Sequence, residues 1–339
     1  MGPRLFQKRF RATLCGGLLL FSVLLRLVCS PEQVQRLTGF LEGPELLRAA
    51  FYLQTGIRLP EAAETAQPTE GQALSTEPTV PDTTGEPVDF SLAFTPAEAD
   101  RIRLRGSCTY AVDKTGLLLA PLTWHTAEAG PQVLIVHTHT TEAYAPSPGY
   151  EYEASGDYRT LDSSRNVTAV GAALAKALEK EGVSVIYSDT VHDSPDYNSA
   201  YYNAKETIEW YLARYPSIVM VLDVHRDAAE TPFTEVTEIG GETAAKIMLL
   251  TGTDEGGLDH PHWQDNLSFL LKLQALVNRS YPELLRDPSL RQERFNTHET
   301  SASLILEVGS NGNTLPEALA AVKYLAPAIA ALLRAQQGS

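Results

Sequence analysis

Two histidines and a carboxylate follow a short apolar run near the middle of the chain. Residues 133–136 are four aliphatic residues, and His137, His139 and Glu142 come within the next six positions. Such a run predicts a buried strand. In open α/β sheets, ligands bind in the crevice beyond the carboxyl ends of the strands. These three polar side chains therefore stand where the sequence predicts a site.

Two later apolar runs end in the same way. Residues 219–228 read VMVLDVHRDA and place His225 among charged residues, and residues 303–314 read SLILEVGSNGNT and place Glu307 before a loop rich in Gly and Asn. Parallel strands bring their carboxyl ends to the same edge of a sheet. We therefore expect three strands to deliver two histidines and a glutamate to one edge.

This set of residue types predicts a catalytic zinc site. Catalytic Zn²⁺ takes three protein ligands from His and carboxylate and keeps a position for water, whose pKa then falls to about 7. A further carboxylate is needed to take the proton from that water and return it to the leaving amine. Glu307 is the candidate for this role. The chain contains no H-E-x-x-H motif, which excludes the helix-borne metalloprotease site of that type.

The elements that must position these residues alternate between strands and helices. We predict strands at 133–136, 183–187, 218–224, 246–250 and 304–308, and helices at 166–181, 196–215, 261–281 and 315–334. The short apolar strands do not alternate with polar residues, as is typical of a sheet covered by helices on both faces. The fold class is therefore α/β: a three-layer α/β/α domain with a mostly parallel central sheet.

The N-terminal third has a different composition. Residues 1–30 combine Arg and Lys with an apolar stretch, which predicts a short cytoplasmic tail and a single transmembrane helix, with the rest of the chain outside. Residues 31–59 show helical periodicity, and residues 60–95 form a disordered linker rich in Pro, Thr and Glu. The catalytic domain is expected at 96–336. Cleavage of the N-terminal segment stays open as an alternative to anchoring, because Arg26 interrupts the apolar stretch.

Charge and cysteine content exclude several other classes of protein. The net charge is −15 and the sequence has no block of Lys and Arg, which argues against nucleic acid as a partner. The three cysteines, Cys15, Cys29 and Cys108, lack C-x-x-C spacing and predict neither a zinc ribbon nor a disulfide framework.

Five sequence blocks resemble those of the stage II sporulation protein P family of N-acetylmuramoyl-L-alanine amidases. The blocks are HTHTTEAY (137–144), YRTLDSSRNVTAVG (158–171), DVHRD (223–227), RFNTH (294–298) and LEVGSNGNT (306–314). The chain is similar, more distantly, to the zinc-dependent amidases of cell-wall turnover. That resemblance implies that His225 is a zinc ligand and that Glu307 is the catalytic glutamate.

The resemblance leaves two positions of the predicted zinc site open. Either His137 or His139 fits the first metal histidine. The cell-wall amidases place a metal-binding Glu just before a helix, where this chain has Ser164 and Arg165. Glu142 is our choice for the third ligand and Asp162 is the alternative. Arg226 and Asn311 are expected to contact the substrate.

The resemblance implies hydrolysis of the amide bond between N-acetylmuramic acid and the L-alanine of the peptidoglycan stem peptide, and it also suggests endopeptidase activity on cross-links. It implies a membrane-anchored enzyme of the septum between mother cell and forespore, acting during engulfment with the stage II sporulation proteins D and M. Two competing functions are a catalytically inactive peptidoglycan-binding scaffold and an exported zinc carboxypeptidase.

Overall fold

The computed structural model describes residues 90–127, 129–154 and 158–336. In chain order, its helices and strands are α1 (Pro96–Arg101), α2 (Lys114–Leu119), β1 (Val133–Val136), α3 (Val167–Lys180), β2 (Val185–Tyr187), a 3₁₀ turn (Tyr197–Ser199), α4 (Ala200–Arg214), β3 (Met220–Asp227), β4 (Val236–Ile239), β5 (Glu242–Ala245), β6 (Ile247–Gly252), α5 (Trp263–Ser280), β7 (Ser289–Arg291), β8 (Ala302–Ser310), α6 (Leu315–Val322) and α7 (Ala326–Arg334).

Six strands form one sheet in the order β2-β1-β3-β8-β6-β7, and β4 and β5 form a separate hairpin. Strands β2, β1, β3 and β8 are parallel to one another, and β6 and β7 are parallel to each other. Strands β6 and β8 form the antiparallel pair within this sheet. The expected mixed α/β fold with a mostly parallel central sheet is confirmed.

Side chains alternate between two apolar clusters across β1. Val133 and Ile135 belong to the large core, which also contains residues of α3, α5, α6 and α7. Leu134 and Val136 point to the other face and join a smaller cluster that includes Ile208 and Tyr211 of α4. Because both faces of the strand are covered, its four residues are all buried.

Helix α3 begins and ends where local chemistry predicts. Asn166 precedes it with an extended backbone, and the side chain of Asn166 accepts a hydrogen bond from the Thr168 amide. Gly182 follows the helix with a φ of 82°, a conformation that glycine adopts at no steric cost. The predicted bounds for this helix are therefore correct to within a residue at each end.

Several parts of the fold differ from the sequence prediction, and the short helices α1 and α2 were not predicted. The single helix predicted at 315–334 is two helices, because Pro327 lies in the first turn of α7 and cannot donate a backbone hydrogen bond. The β4–β5 hairpin was not predicted, although Gly240 and Gly241 form its two-residue turn with positive φ at both positions. Strand β7 was also not predicted, since its three residues are too short a signal.

Among the described residues of the expected linker, Phe90, Leu92 and Phe94 pack against the core. The predicted anchor at 1–30, the helical segment at 31–59 and the remainder of the linker lie outside the described residues. Among the described residues, only the stretch Leu315–Arg334 is long and apolar enough to cross a membrane, and 67% of that window is buried inside the fold, as in a core helix of a globular domain.

Candidate functional site

Strands β3 and β8 bring His225 and Glu307 together. The two residues are direct partners in the parallel register, so their side chains leave the same face of the sheet. Asp223 lies two residues before His225 and shares that face. The predicted convergence of the two strand ends is therefore present in the fold.

The loop that follows β1 is held at both ends by carboxylates. Asp223 accepts hydrogen bonds from the Thr138 amide at 2.8 Å and the Thr138 hydroxyl at 2.5 Å. Asp193 accepts from the Thr141 amide at 3.1 Å and the Thr141 hydroxyl at 2.7 Å. These four bonds define the path of the chain between Val136 and Glu142, and hence where the two histidines of the loop point.

His137 and His139 occupy different environments. The Nδ1 of His137 lies 2.9 Å from the carbonyl oxygen of Val224, and its ring packs against Tyr187 and Gly171 on the large-core face. His139 lies on the site side of the sheet, where the centroids of the His139 and His225 rings are 5.5 Å apart. Residues two positions apart on one strand would share a face. The strand ends at Val136, however, and the turn that follows directs the side chains of His137 and His139 to different sides of the sheet.

Glu142 lies beside His225 and is 5% exposed. Its Oε2 is 3.4 Å from His225 Nδ1 and accepts a hydrogen bond from the Arg226 amide at 3.2 Å, and its Oε1 is 3.7 Å from Arg159 Nη2. The backbone of Glu142 accepts from the Val167 amide at 2.8 Å. The start of α3 therefore positions this carboxylate against β3.

Asp162, the alternative third ligand, has a different role. It is exposed, and its Oδ1 accepts from the amide and hydroxyl of Ser164 at 3.0 and 2.7 Å in the turn before α3. Of the two predicted carboxylates, the structure brings Glu142 next to His225.

Burial and neighbouring charges shift the pKa values of the ionisable groups in the site. Burial opposes the charged form of His225, but the adjacent Asp223 and Glu142 raise its pKa well above the usual range. Burial likewise opposes the Glu142 carboxylate, yet the hydrogen bond with His225 and its charge lower the pKa of Glu142. Burial raises the pKa of Glu307 to about 8. The site therefore contains a cationic imidazole between two carboxylates, beside a carboxyl group that holds its proton near neutral pH.

Several buried polar atoms of the site lack a hydrogen-bond partner, among them His139 Nδ1, His225 Nε2 and Glu307 Oε2. The His225 Nε2 lies 3.0 Å from Asp223 Oδ1, but the two groups are not aligned as a hydrogen bond. Buried polar atoms normally find partners, so these atoms are available to a ligand. Imidazole and carboxylate donors suit zinc.

The geometry of these donors is not that of an assembled metal site. Within residues 90–127, 129–154 and 158–336, no group of three or more His, Cys, Asp or Glu side chains is arranged to hold a metal ion. His225 lies between two carboxylates, with its Nδ1 3.4 Å from Glu142 Oε2 and its Nε2 3.0 Å from Asp223 Oδ1. The donor types therefore fit zinc, and coordination would require these side chains to reorient.

The two residues predicted to contact the substrate lie close to the site, and both side chains donate hydrogen bonds to backbone carbonyl oxygens. Arg226 is 3% exposed, and its Nε and Nη2 donate to the carbonyl oxygens of Ala143 and Tyr158 at 2.8 and 3.3 Å. Asn311 is 7% exposed and donates to the Ala229 carbonyl at 2.9 Å, while its Oδ1 is buried without a hydrogen-bond partner. Substrate contact by either residue stays a prediction.

Three residues of the site were not predicted from the sequence. Tyr197 stacks on His139 with ring centroids 4.4 Å apart, and Tyr201 meets the same imidazole edge-on at 5.4 Å. Asp193 joins the loop after β1 to Arg159, whose Nη1 lies 3.0 Å from Asp193 Oδ2. The density of Tyr and Asp at 193–202 was the local signal of this segment, because its first residue, Asp193, lies six positions beyond the end of β2.

Comparison with known proteins places these features in a family. A sequence model of the family described as Stage II sporulation protein P matches residues 60–330. The Stage II sporulation protein P of Bacillus subtilis (strain 168) is 26% identical over 196 residues, which are 55% of this chain and 47% of that protein. The chain thus spans about half the length of the curated relative that it matches.

Solved structures with a similar fold include two bacterial amidases. The N-acetylmuramoyl-L-alanine amidase AmiC2 of Nostoc punctiforme shares 11% identity at a TM-score of 0.36, covering 61% of this chain and 97% of that one. The CwlD amidase from Clostridioides difficile was solved in complex with the GerS lipoprotein. It shares 15% identity at a TM-score of 0.35, and the match covers 60% of this chain and 98% of that one.

Proposed function

The chain belongs to the stage II sporulation protein P family, and we propose that it is a peptidoglycan hydrolase that cleaves the amide bond between N-acetylmuramic acid and L-alanine. The observation that carries this proposal is the meeting of His139, Glu142, His225 and Glu307 at the carboxyl ends of β1, β3 and β8. Family membership supplies the substrate class.

The proposal assigns the zinc ligands as His139, Glu142 and His225. Zinc bound by these residues would lower the pKa of a coordinated water to about 7 and polarise the scissile carbonyl. Asp223 holds the loop that carries His139 and lies against His225, so it keeps the two imidazoles on the same side of the sheet.

Glu307 is the proton carrier in this proposal. Its carboxyl group takes the proton from the attacking water and returns it to the nitrogen of the departing L-alanine. Burial raises the pKa of Glu307 to about 8, and the positive charge of zinc bound beside it would lower that pKa and leave the carboxylate able to accept the proton. The free Oε2 of Glu307 leaves the carboxyl group available for this transfer.

The proposal also includes the cellular location of the protein and its partners. We propose that residues 1–30 hold the enzyme in the cell membrane, with the catalytic domain on the extracytoplasmic side of the septum between mother cell and forespore. The stage II sporulation proteins D and M are the proposed partners, and cross-links are a proposed second substrate. Family membership and the basic and apolar composition of residues 1–30 support this setting.

Product analysis tests the reaction. Purified protein, incubated with defined muropeptides and Zn²⁺, is expected to release intact stem peptides with a new L-alanine amino terminus. Glu307→Gln is expected to lower this rate by about 10²–10⁴-fold, while Glu283→Gln, at a side chain that is 74% exposed, is the control and is expected to retain the rate. Release of single terminal amino acids would instead indicate a carboxypeptidase, and binding without any release would indicate a scaffold.

Elemental analysis tests the assignment of the ligands. One zinc per chain is expected in the wild type, with loss in His139→Ala, Glu142→Ala and His225→Ala. His137→Ala and Asp162→Ala are expected to retain zinc, because His137 faces the core and Asp162 is engaged by Ser164. A wild type that remains free of zinc after reconstitution would overturn the metal assignment.

A further inference from the structure

A groove of about 610 Å³ opens beside the candidate site. It lies between the start of α4 and the loops that follow β6 and β7. Its walls are largely apolar and include Tyr201, Tyr202, Leu258 and Phe295, and two of these side chains lie open to solvent: Tyr202 is 60% exposed and Leu258 is 57% exposed. This volume falls in the range of small-ligand sites, about 300–1,000 Å³.

Tyr201 joins the groove to the candidate site. Its ring centroid is 5.4 Å from that of His139 on one side and 5.6 Å from that of Phe295 on the other. The Asn296 side chain donates to the Tyr201 carbonyl at 2.9 Å and ties the loop after β7 to α4. A ligand whose reacting bond lies at the site therefore reaches the groove across a single aromatic side chain.

Phe295 is held in a strained conformation at the wall of the groove. Its φ is 52°, and Tyr158 is the other described non-glycine residue with a positive φ. A bulky residue in this region is strained, and such positions cluster at ligand sites. The Thr297 hydroxyl, which donates to the Arg294 carbonyl at 2.9 Å, stabilises the turn that presents the ring.

Two cations complete the groove in a chain whose net charge is −15. Lys205 pairs with Glu209 and lies 3.7 Å from Glu299. Arg294 donates through Nη1 to the Asp259 carbonyl at 3.0 Å, and its Nε is buried without a hydrogen-bond partner. The carboxylate that also lines the groove, Glu293, is 3.3 Å from Arg291. The groove thus combines apolar walls with cationic groups.

We infer that this groove binds the peptide arm of the substrate, an inference that rests on the proposed function. A stem peptide offers alanine methyl groups for the aromatic walls and free carboxylates for Lys205 and Arg294. Continuity through Tyr201 places the groove where the chain leaving the scissile amide would run. The groove would then select substrates by the length and charge of the stem.

Steady-state hydrolysis by the full-length protein tests this inference. The two substrates are N-acetylmuramyl pentapeptide and N-acetylmuramyl dipeptide. Lys205→Met and Leu258→Ser are each expected to raise KM for the pentapeptide substrate about fivefold or more, with KM for the dipeptide substrate changed less than twofold and kcat unchanged. Lys246→Met and Leu119→Ser, at comparable exposure outside the groove, are the matched controls. Equal KM changes on both substrates, or none, would overturn the inference.

A binding measurement separates this inference from the proposed function. Calorimetric titration of the full-length protein with a free stem pentapeptide is expected to show binding that Lys205→Met weakens about fivefold. If the protein hydrolyses neither substrate but this binding is observed, the amidase proposal fails and the groove assignment stands. If the peptide does not bind, the groove assignment is overturned. It is also overturned if the same variants weaken binding of a muramyl disaccharide that carries no peptide.

Discussion

The imidazole of His137 packs directly on the backbone of Gly171 in α3. A Cβ at position 171 would lie 2.4 Å from both Cε1 and Nε2 of His137. Real side chains do not approach this closely, so the absence of a side chain at Gly171 allows α3 to pack over the end of β1. Burial lowers the pKa of His137 to about 4, so the ring in this space is neutral.

Gly171→Ala is therefore expected to destabilise the protein, although alanine in a helix interior normally stabilises by about 1 kcal/mol relative to glycine. The expected loss is about 1–3 kcal/mol of unfolding free energy, because the added methyl group overpacks the contact with His137. Urea unfolding measures it.

A double-mutant cycle supplies the control for this contact. In a His137→Ala background, the space left by the imidazole accepts the methyl group, and Gly171→Ala is expected to be neutral or stabilising. Purely additive effects of the two substitutions would contradict the packing described here.

The buried guanidinium of Arg226 leads to a second prediction. Arg226→Gln removes donors from the carbonyl oxygens of Ala143 and Tyr158. The Tyr158 carbonyl still accepts from the Ala143 amide at 2.8 Å, so the expected cost of about 1–3 kcal/mol comes from the buried Ala143 carbonyl. We expect a loss of unfolding free energy of this size, measured by urea unfolding. Arg103→Gln, whose side chain is 70% exposed, is the control and should change stability by less than about 0.5 kcal/mol. Unchanged stability would contradict this account of the hydrogen bonds, and a raised KM would support the prediction that Arg226 contacts the substrate.

Lys272 gives a prediction about pH that is independent of the candidate site. Its Nζ donates to the carbonyl oxygens of Leu117 and Leu118 at 2.9 and 2.6 Å, at the end of α2. Burial lowers the pKa of Lys272 to about 8. Between pH 8 and 10.5 the unfolded chain therefore binds more protons at this lysine than the folded chain, so its contribution to stability rises with pH in that window.

Comparison of the wild type with Lys272→Met isolates this contribution. The unfolding free energy of the wild type relative to the variant is expected to rise by about 1–3 kcal/mol between pH 7.5 and 10, at about 1.4 kcal/mol per unit of pKa shift. The hydrogen bonds from Nζ favour the charged form and reduce the effect. Lys180→Met, at an exposed position of α3, is the control measured in the same way. A constant difference for Lys272→Met would show that this lysine titrates as if exposed.

The sequence predicted the central elements well where local signals are strong. Strand β1 has the predicted bounds, and α3 is correct to within one residue at each end, because its start has an Asn N-cap and its end a glycine. Strand β3 ends three residues beyond the predicted strand at 218–224, and β8 extends the predicted strand at 304–308 by two residues at each end. Hydrogen bonding to neighbouring strands extends them beyond their apolar runs, and a single sequence carries no direct signal of that pairing.

Elements without a strong local signal were missed or merged. The three residues of β7 form a strand only because β6 offers an open edge. The break between α6 and α7 follows from Pro327, whereas apolar periodicity continues through it and predicted a single helix.

By itself, the sequence determined which chemical groups stand at the strand ends: histidine after β1, histidine within β3 and glutamate within β8. Hydrophobic periodicity is local, so it suffices for this purpose. Only the tertiary structure decided which groups face one another. The turn after Val136 sends His137 into the core and His139 toward His225, and the contact of the loop with the start of α3 places Glu142, rather than Asp162, beside β3. The positions of these side chains depend on hydrogen bonds that Asp193 and Asp223 accept. The two acceptors are 52 and 85 residues away from their donors in the chain, and no local sequence pattern records such a separation.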